Sequence, residues 1–188
     1  MDQHLFRVAT LAMTLLAAGC AGDPRSAAPL GASATQRLAA VKLDTAAASR
    51  ILNAYRASHG LGPVKLDPTL TAMAQRQANA MAAANTLSHD AGGGFVSRVH
   101  GAGLKAGRTA ENVGGGYYST EEAFAGWKAS SGHDVNLRMP EATRFGIALA
   151  KAPQTQYGAW WALVIAGEPE RRREITTGPF GAGAPAIR

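Results

Sequence analysis

Three ionisable side chains in this sequence have the chemistry to form one site: His89, Glu111 and His133. His89 stands in S-H-D, Glu111 in A-E-N-V-G-G-G and His133 in S-S-G-H, with 22 positions from each to the next. All three lie outside the strongly periodic segments, in glycine-flanked loops of the kind that commonly present functional side chains. Two imidazoles and one carboxylate suit a zinc ion that keeps an open fourth position for water.

The chemistry of this trio allows two interpretations. If zinc binds, it lowers the pKa of a bound water molecule and supports hydrolysis. If no metal binds, the Glu111 carboxylate accepts hydrogen bonds from the imidazoles and from backbone amides, and the trio braces neighbouring loops. Ser88 and Ser130 stand near the histidines in sequence, but the chain contains no G-x-S-x-G nucleophile elbow, which disfavours a serine hydrolase.

Helix caps and apolar periodicity predict two helices in the segment before His89. The first begins near Asp44 and ends before Gly60, which suits the left-handed position that follows a helix. The second begins at Asp67, followed by proline at the first helical position, and stops near Asn85. The second helix is expected to present His89 just beyond its end.

A third helix and two strands are predicted in the second half of the chain. The helix follows a capping box of Ser119 and Glu122, and Trp127 on it is predicted to be buried. Apolar runs over residues 143–150 and 157–166 predict adjacent strands joined by a loop that contains a proline. Helices first and strands later indicate an α+β layered domain.

The first twenty residues have the pattern of an export signal. An apolar run over residues 8–18 is too short for a membrane-spanning helix of about 20 residues but suits the central region of a signal peptide. The run ends in L-A-A-G-C, which resembles a bacterial lipobox, so Cys20 is predicted to be acylated. Cys20 is the only cysteine, which excludes an intramolecular disulfide. The alternative is a plain secretory signal that leaves Cys20 as a free thiol.

The predicted organisation is a lipoprotein signal peptide over residues 1–19, a flexible tether over 20–43, one domain over 44–167 and a mobile tail over 168–188. The net charge is +6, but the basic residues are scattered, which argues against nucleic-acid binding. We expect a membrane-anchored lipoprotein of the cell envelope on the exported side. Ala21 after the acylated cysteine indicates the outer membrane if the host is Gram-negative.

Four ordered motifs resemble those of bacterial CAP domains, the superfamily named for cysteine-rich secretory proteins, antigen 5 and pathogenesis-related proteins. They are N-A-Y-R-A-S-H-G-L-G-P-V-K-L-D-P-T-L from Asn53, the S-H pair at Ser88, A-E-N-V-G-G-G around Glu111 and W-K-A-S-S-G-H-D-V-N-L from Trp127. Together they cover residues 44–167, whereas a single short motif is weak support for a family.

The resemblance implies a three-layer α-β-α sandwich with a cleft. In many members two histidines and one or two acids line the cleft and hold a divalent ion, usually zinc. His89 and His133 match the two histidines and Glu111 matches the first acid. Ser130 stands at the position of the second acid, so the metal ligands known from the family are incomplete here.

Three functions are compatible with this sequence. The leading hypothesis is a non-enzymatic envelope module that binds a small apolar ligand, a lipid or another envelope component in the cleft lined by His89, Glu111, Ser130 and His133. Family members have been associated with sterol or fatty-acid binding. The alternative is a metal-dependent hydrolase of peptide or cell-wall substrates, and the third is a structural lipoprotein with a vestigial cleft. The missing second acid favours the first and the third, because the site and not the fold must carry a function.

Overall fold

The computed structural model describes residues 30–105 and 107–168, which contain six helices and four strands. The elements are α1 (Ala32–Ala40), α2 (Thr45–Ser58), β1 (Lys65–Leu66), α3 (Pro68–Ala84), α4 (Phe95–Gly101), β2 (Thr109–Gly115), α5 (Thr120–Ala129), α6 (Ser131–Leu137), β3 (Ala142–Ala152) and β4 (Gly158–Gly167). No helix in the described part of the chain combines the length and the apolar character needed to cross a bilayer.

Side chains cap the helices where the sequence predicted their starts. Asp44 accepts a hydrogen bond from the Ala47 amide at 2.8 Å, and Asp67 accepts one from the Leu70 amide at 2.9 Å. Pro68 occupies the first turn of α3, where a missing N–H costs no helical hydrogen bond. These two caps place the starts of α2 and α3, so both predicted helix starts are confirmed.

The helix ends and the third cap also follow local chemistry. Gly60 after α2 and Asn85 after α3 adopt left-handed backbone angles, with φ of 70° and 48°. At α5 the Ser119 hydroxyl accepts from the Glu122 amide at 3.1 Å, as the capping box predicts. The Glu122 carboxylate, however, accepts from the Tyr118 amide at 2.7 Å instead of the Ser119 amide.

The four strands form one sheet in the order β1-β3-β4-β2. β1 is parallel to β3, whereas β3 and β2 both run antiparallel to β4. The two predicted strands are confirmed as β3 and β4, each within two residues of its predicted limits. β2 was not predicted, because its glycine-rich sequence was interpreted as a loop.

Helices cover both faces of the sheet and make the α+β three-layer sandwich that the sequence predicted. On one face α3 packs against β3 and β4, and the buried residues there include Leu70, Met73, Ala148, Trp160 and Val164. On the other face α2 and α5 contribute to a second core that includes Leu52, Phe124, Trp127, Ile147 and Trp161. Trp127 is fully buried, as predicted, and so are both tryptophans of β4.

Gly146 of β3 lets α3 approach the sheet closely. A Cβ atom at this position would lie 2.1 Å from the Leu70 carbonyl carbon and from the Thr71 amide nitrogen. Only a residue without a side chain allows this helix backbone to rest directly on the strand.

The predicted flexible tether over residues 20–43 is wrong for its second half. Residues Ala32–Ala40 form helix α1, and Leu38 and Val41 are only 2% and 3% exposed. Their apolar burial supplies the ordering that the alanine-rich composition did not indicate. The folded unit therefore begins near residue 30, not at 44. The signal peptide, Cys20, the first half of the tether and nearly all of the predicted tail lie outside the described residues.

Candidate functional site

Glu111 lies on β2, at the edge of the sheet, and its carboxylate is buried. Within the described residues β2 pairs with β4 alone, and Glu111 stands opposite Val164 in that pair. The Glu111 side chain is only 2% exposed. Val113 belongs to the core on the α3 face, whereas Asn112 bonds to α6 on the opposite side. Residues from both faces therefore meet at this edge, and the predicted loop around Glu111 is wrong.

Arg98 of α4 is the principal partner of Glu111. Its Nη1 donates to Oε2 at 2.8 Å and its Nη2 to Oε1 at 2.9 Å, which makes a two-pronged ion pair. The guanidinium also donates to the carbonyl oxygens of His89, at 2.7 Å, and Gly93, at 2.8 Å. Because a guanidinium keeps its charge and matches the geometry of a carboxylate, the charge of Glu111 is balanced inside the protein.

His89 completes the shell around the carboxylate. Its Nδ1 lies 3.0 Å from Glu111 Oε1, and its side chain is 51% exposed. The hydrogen bond with Glu111 raises the pKa of His89, while burial acts in the opposite direction. The loop that carries His89 is held by buried Gln77 of α3, which donates to the Ser88 carbonyl at 2.6 Å and accepts from the Gly92 amide at 3.2 Å.

His133 approaches the same edge from the other side of the sheet, on helix α6. Asn112 donates to the His133 carbonyl at 3.0 Å, and Asn136 donates to Asn112 Oδ1 at 2.9 Å and to the Glu111 carbonyl at 3.3 Å. Burial lowers the pKa of His133, and the charge of His89 lowers it further. The structure thus brings the three predicted residues to one edge. We call His89, Arg98, Glu111 and His133 the edge cluster.

Helix α6 was not predicted, and long-range contacts to α2 hold it in place. Buried Arg56 donates to the carbonyls of Leu137, at 3.0 Å, and Met139, at 2.9 Å, at the end of the helix. Burial lowers the pKa of this guanidinium. The Tyr55 hydroxyl donates to the carboxylate of Asp134, which lies on the preceding turn of α6. These contacts span about eighty positions in sequence, which is why local patterns did not reveal the helix.

Ser130 joins α5 to α6 and contributes through its backbone. Its carbonyl accepts from the amides of His133, at 3.0 Å, and Asp134, at 2.8 Å. Among the described residues its hydroxyl makes no hydrogen bond to His89, Glu111 or His133. The position at which the family resemblance places a second acid therefore serves here as a turn between helices.

The edge cluster does not fit a zinc ion in this arrangement. Arg98 takes up one lone pair on each Glu111 oxygen, so the carboxylate is shared with a cation already present. His89 Nδ1 is engaged with the same carboxylate, which leaves only its Nε2 as a possible ligand. Over residues 30–105 and 107–168, no group of three His, Cys, Asp or Glu side chains is placed to hold a metal ion. The fixed charge of Arg98 would also repel a divalent cation beside Glu111.

Arg98 and the two asparagines were missed by the sequence analysis. Arg98 follows Phe95 and Val96 and precedes Val99, so a charge in this short apolar segment was a signal that a buried partner exists. Asn112 is fully buried, although it lies in the same motif as Glu111. No local pattern distinguishes Asn136, because its role depends on a helix packing against the sheet edge.

An open groove runs between α3 and α4 and reaches Arg98. Its volume is about 630 Å³, within the range of small-ligand sites. None of the described residues that line it is acidic, and the exposed Arg76 lies on its α3 wall. The lining residues are otherwise mostly small: Pro68, Thr69, Ala72, Gly92, Arg98, Gly101 and Ala102.

Exposed apolar side chains occur next to the edge cluster in sequence. Leu87, Val96 and Val135 are 42%, 68% and 49% exposed, and each lies within two positions of a residue of the cluster. They make up three of the four large hydrophobic residues exposed in the described part of the chain. Apolar residues concentrated around a site are typical of surfaces that contact an apolar ligand or a partner.

The fold agrees with what comparison with known proteins finds. The chain belongs to the CAP family, the cysteine-rich secretory protein family, whose model matches residues 50–165. Uncharacterized protein YkwD of Bacillus subtilis (strain 168) is 26% identical over 120 residues, which are 63% of this chain. The match spans 45% of that protein, less than half its length.

Solved structures of bacterial proteins share the fold. An extracellular protein containing a SCP domain from Bacillus anthracis superposes with a TM-score of 0.57 at 21% identity, over 64% of this chain and 39% of that one. An outer surface protein from Borrelia burgdorferi superposes with a TM-score of 0.58 at 20% identity, over 68% and 97% of the two chains. These neighbours confirm the sandwich fold. At sequence identities of 21% and 20% they show the fold alone.

Proposed function

We propose that this chain is an exported bacterial envelope protein whose CAP domain binds a ligand and does not catalyse a reaction. The Arg98–Glu111 ion pair carries this proposal. Arg98 donates to both Glu111 oxygens, so its charged guanidinium competes with a water molecule for this carboxylate and repels a cation from it. Glu111 is also the single acid of the edge cluster. The hydrolase alternative would therefore have to activate water through the histidines, without an unpaired acid beside them.

The ligand we propose is a small apolar molecule or a lipid, bound in the groove between α3 and α4. Small side chains such as Ala72 and Ala102 leave a volume that an acyl chain or a ring system fills. Arg76 on the wall offers a positive charge for an acidic head group. Leu87 and Val96, each two positions in sequence from a residue of the edge cluster, are further exposed apolar side chains.

Export and anchoring complete the proposal. The signal-peptide pattern and the lipobox-like L-A-A-G-C support acylation of Cys20. Two of the structural neighbours are described as an extracellular protein and an outer surface protein, which supports an exported location. Mass spectrometry of the mature N-terminus tests the anchor, with Cys20→Ala as the variant that should lose both the acyl mass and membrane association. A soluble wild-type product with unmodified Cys20 would contradict it.

Filling the groove tests the binding function. Ala72→Trp places an indole in the groove, and Asn79→Trp puts the same side chain at an exposed position of α3 outside it. With a fluorescent fatty acid as the probe, we expect wild type and Asn79→Trp to bind alike. Ala72→Trp should weaken binding by at least about tenfold, which corresponds to about 1.4 kcal/mol.

An activity assay tests the hydrolase alternative. The protein is incubated with cell-wall fragments and with peptides, in the presence and absence of added zinc. Turnover that disappears in His89→Ala would overturn the binding proposal in favour of the hydrolase. Equal probe binding by all three proteins of the groove experiment would remove the groove from the function.

A further inference from the structure

Helix α1 is attached to the domain by specific contacts, although it precedes residue 50, where the family match begins. Lys151 near the end of β3 donates to three carbonyls at the end of α1: Leu38 at 3.4 Å, Ala39 at 3.2 Å and Val41 at 3.1 Å. A cation at this position also interacts favourably with the negative end of the helix dipole. These hydrogen bonds hold the C-terminal end of α1 against the end of β3.

Apolar and aromatic contacts support the same attachment. The Leu30 side chain lies against Gly158, where a Cβ atom would come within 2.3 Å of Leu30 Cδ1. The Leu30 amide donates to the Pro153 carbonyl at 3.4 Å. Arg37 stacks over the Tyr118 ring at 4.2 Å, within the range of a cation–π interaction. The chain therefore enters the fold beside the turn that joins β3 to β4.

This attachment shortens the connection between the lipid anchor and the domain. Ten positions separate Cys20 from Leu30, whereas 24 would separate it from Asp44 if α1 were undocked. Ten residues reach at most about 33–36 Å when fully extended, and 24 residues about 79–86 Å. A domain of this size is about 35–40 Å across. The short connection therefore keeps the Leu30 side of the domain nearest to the anchor.

The surface at this point is basic. We call residues 30–43 together with residues 151–158 the hairpin end. These two segments contain Arg37, Lys42 and Lys151 and no acidic residue, and Asp44 follows directly along the chain. At the opposite end of the same two strands, exposed Glu141 and Glu168 lie 3.9 Å and 3.5 Å from Arg108 and Arg144, so the charges there are paired. Basic residues close to a lipid anchor are attracted to anionic lipids.

We propose that the hairpin end faces an anionic membrane surface and that α1 is the strap that sets this orientation. The inference rests on the anchoring at Cys20 that the proposed function includes. It has a consequence for the edge cluster: Glu111 pairs with Val164, six positions along β4 from Gly158, so it lies about 20 Å from the hairpin end. The site is thereby held within reach of the lipid surface, with its groove beside it.

Fluorescence quenching in vesicles tests this orientation. The full-length acylated protein is placed in vesicles of phosphatidylethanolamine and phosphatidylglycerol, with a fluorophore on either Gln154→Cys in the hairpin turn or Glu141→Cys at the opposite end. Both positions are exposed. A lipid spin-labelled at its head group is the quencher, and we expect several-fold stronger quenching at position 154 than at 141.

Detaching α1 provides the matched control. Leu38→Asn replaces the buried leucine of α1 with a polar residue. Lys151→Met removes the three hydrogen bonds to the carbonyls at the end of α1 without changing a core residue. In either variant that keeps the wild-type circular dichroism spectrum, the difference between the two labels should fall towards equality while the protein still floats with the vesicles.

The outcomes separate this inference from the anchor itself. Equal quenching at both positions in wild type, or stronger quenching at 141, overturns the orientation and leaves anchoring and ligand binding standing. A wild-type protein that carries unmodified Cys20 and does not float overturns the anchor and the orientation together. A contrast that persists unchanged in both detached variants shows that α1 does not set the orientation.

Discussion

Replacing Arg98 by Met should destabilise the domain strongly, because it leaves the buried charge of Glu111 with His89 as its only remaining side-chain partner. The Arg98 and Glu111 side chains are 9% and 2% exposed, so solvent screens their interaction little. Removing one member of such a pair typically costs about 3–5 kcal/mol. The substitution also removes the hydrogen bonds that the guanidinium donates to the carbonyls of His89 and Gly93.

A double-mutant cycle measures the interaction energy of the Arg98–Glu111 pair separately from the other contacts of the two side chains. Glu111→Leu alone leaves Arg98 unpaired, whereas Arg98→Met with Glu111→Leu removes both charges from the buried site. The double variant should be less destabilised than the sum of the single variants, because replacing both members of a buried pair by apolar groups is often close to neutral. We expect a coupling energy of about 2 kcal/mol or more.

Equilibrium urea unfolding measures these free energies. The protein carries Cys20→Ala in all four forms of the cycle, so that acylation does not complicate the transition. A cost below about 1 kcal/mol for Arg98→Met, with additive effects in the cycle, would refute the inference that Arg98 occupies Glu111. Zinc binding by wild type with an affinity that Arg98→Met leaves unchanged would refute it independently.

Three further predictions concern the core, the contact between helix and sheet, and the histidines. Trp127→Ala should cost about 3–5 kcal/mol in urea unfolding because the indole is fully buried, and a loss below about 1 kcal/mol would contradict its core role. Gly146→Ala should cost about 1–3 kcal/mol because the new methyl group meets the backbone of α3, whereas Gly132→Ala, with open space around it, should not destabilise. In an NMR titration, the pKa of His89 should lie above the ordinary histidine value of about 6.5 and the pKa of His133 below it. The stabilising contribution of His89 is therefore lost as pH rises through its folded pKa, and that of His133 is lost as pH falls below about 6.5. Coincident titration of the two histidines would contradict both shifts.

The sequence predicted the fold where local chemistry decides it. Asp44 and Asp67 are followed by apolar periodic segments, and both cap helices that begin where expected. The long apolar runs of β3 and β4 were recognised because strands covered on both faces are apolar throughout. β2 was missed because its segment is short and ends in glycines, and its strand character comes from pairing with β4.

The sequence analysis named the acid and the two histidines of the edge cluster but not the arginine that pairs with the acid. The family resemblance identified His89, Glu111 and His133, which meet at one edge, and their function stays a prediction. The resemblance also implied zinc, and zinc binding stays a prediction too. Whether Glu111 is available depends on Arg98, 13 positions earlier, and on the short helix α4 that aims its guanidinium. Such a contact follows from tertiary packing and leaves only a weak trace in the sequence.

Helix α1 illustrates a different limit of prediction. Its sequence, A-S-A-T-Q-R-L-A-A, carries one large apolar residue, and an isolated helix of this length is marginal in water. Its order comes from Leu38 in the core and from Lys151, more than one hundred positions away. Composition alone indicated a tether, because the stabilising partners lie on a distant part of the chain.

Helix α6 protects the sheet edge beside the edge cluster, and this proximity determines how the function of the cluster must be tested. An edge strand exposes unpaired backbone groups that invite pairing with other chains. Here Asn136 donates to the Glu111 carbonyl, and α6 packs against β2. Substitutions of Arg98 or Glu111 will therefore change stability and edge protection together with any binding. A loss of ligand in those variants cannot be assigned to direct contact, whereas Ala72→Trp changes the groove from an exposed position of α3 and leaves the sheet edge intact. If Ala72→Trp abolishes binding at wild-type stability, the ligand occupies the groove, and the edge cluster acts as the structural wall that holds α4 against the sheet.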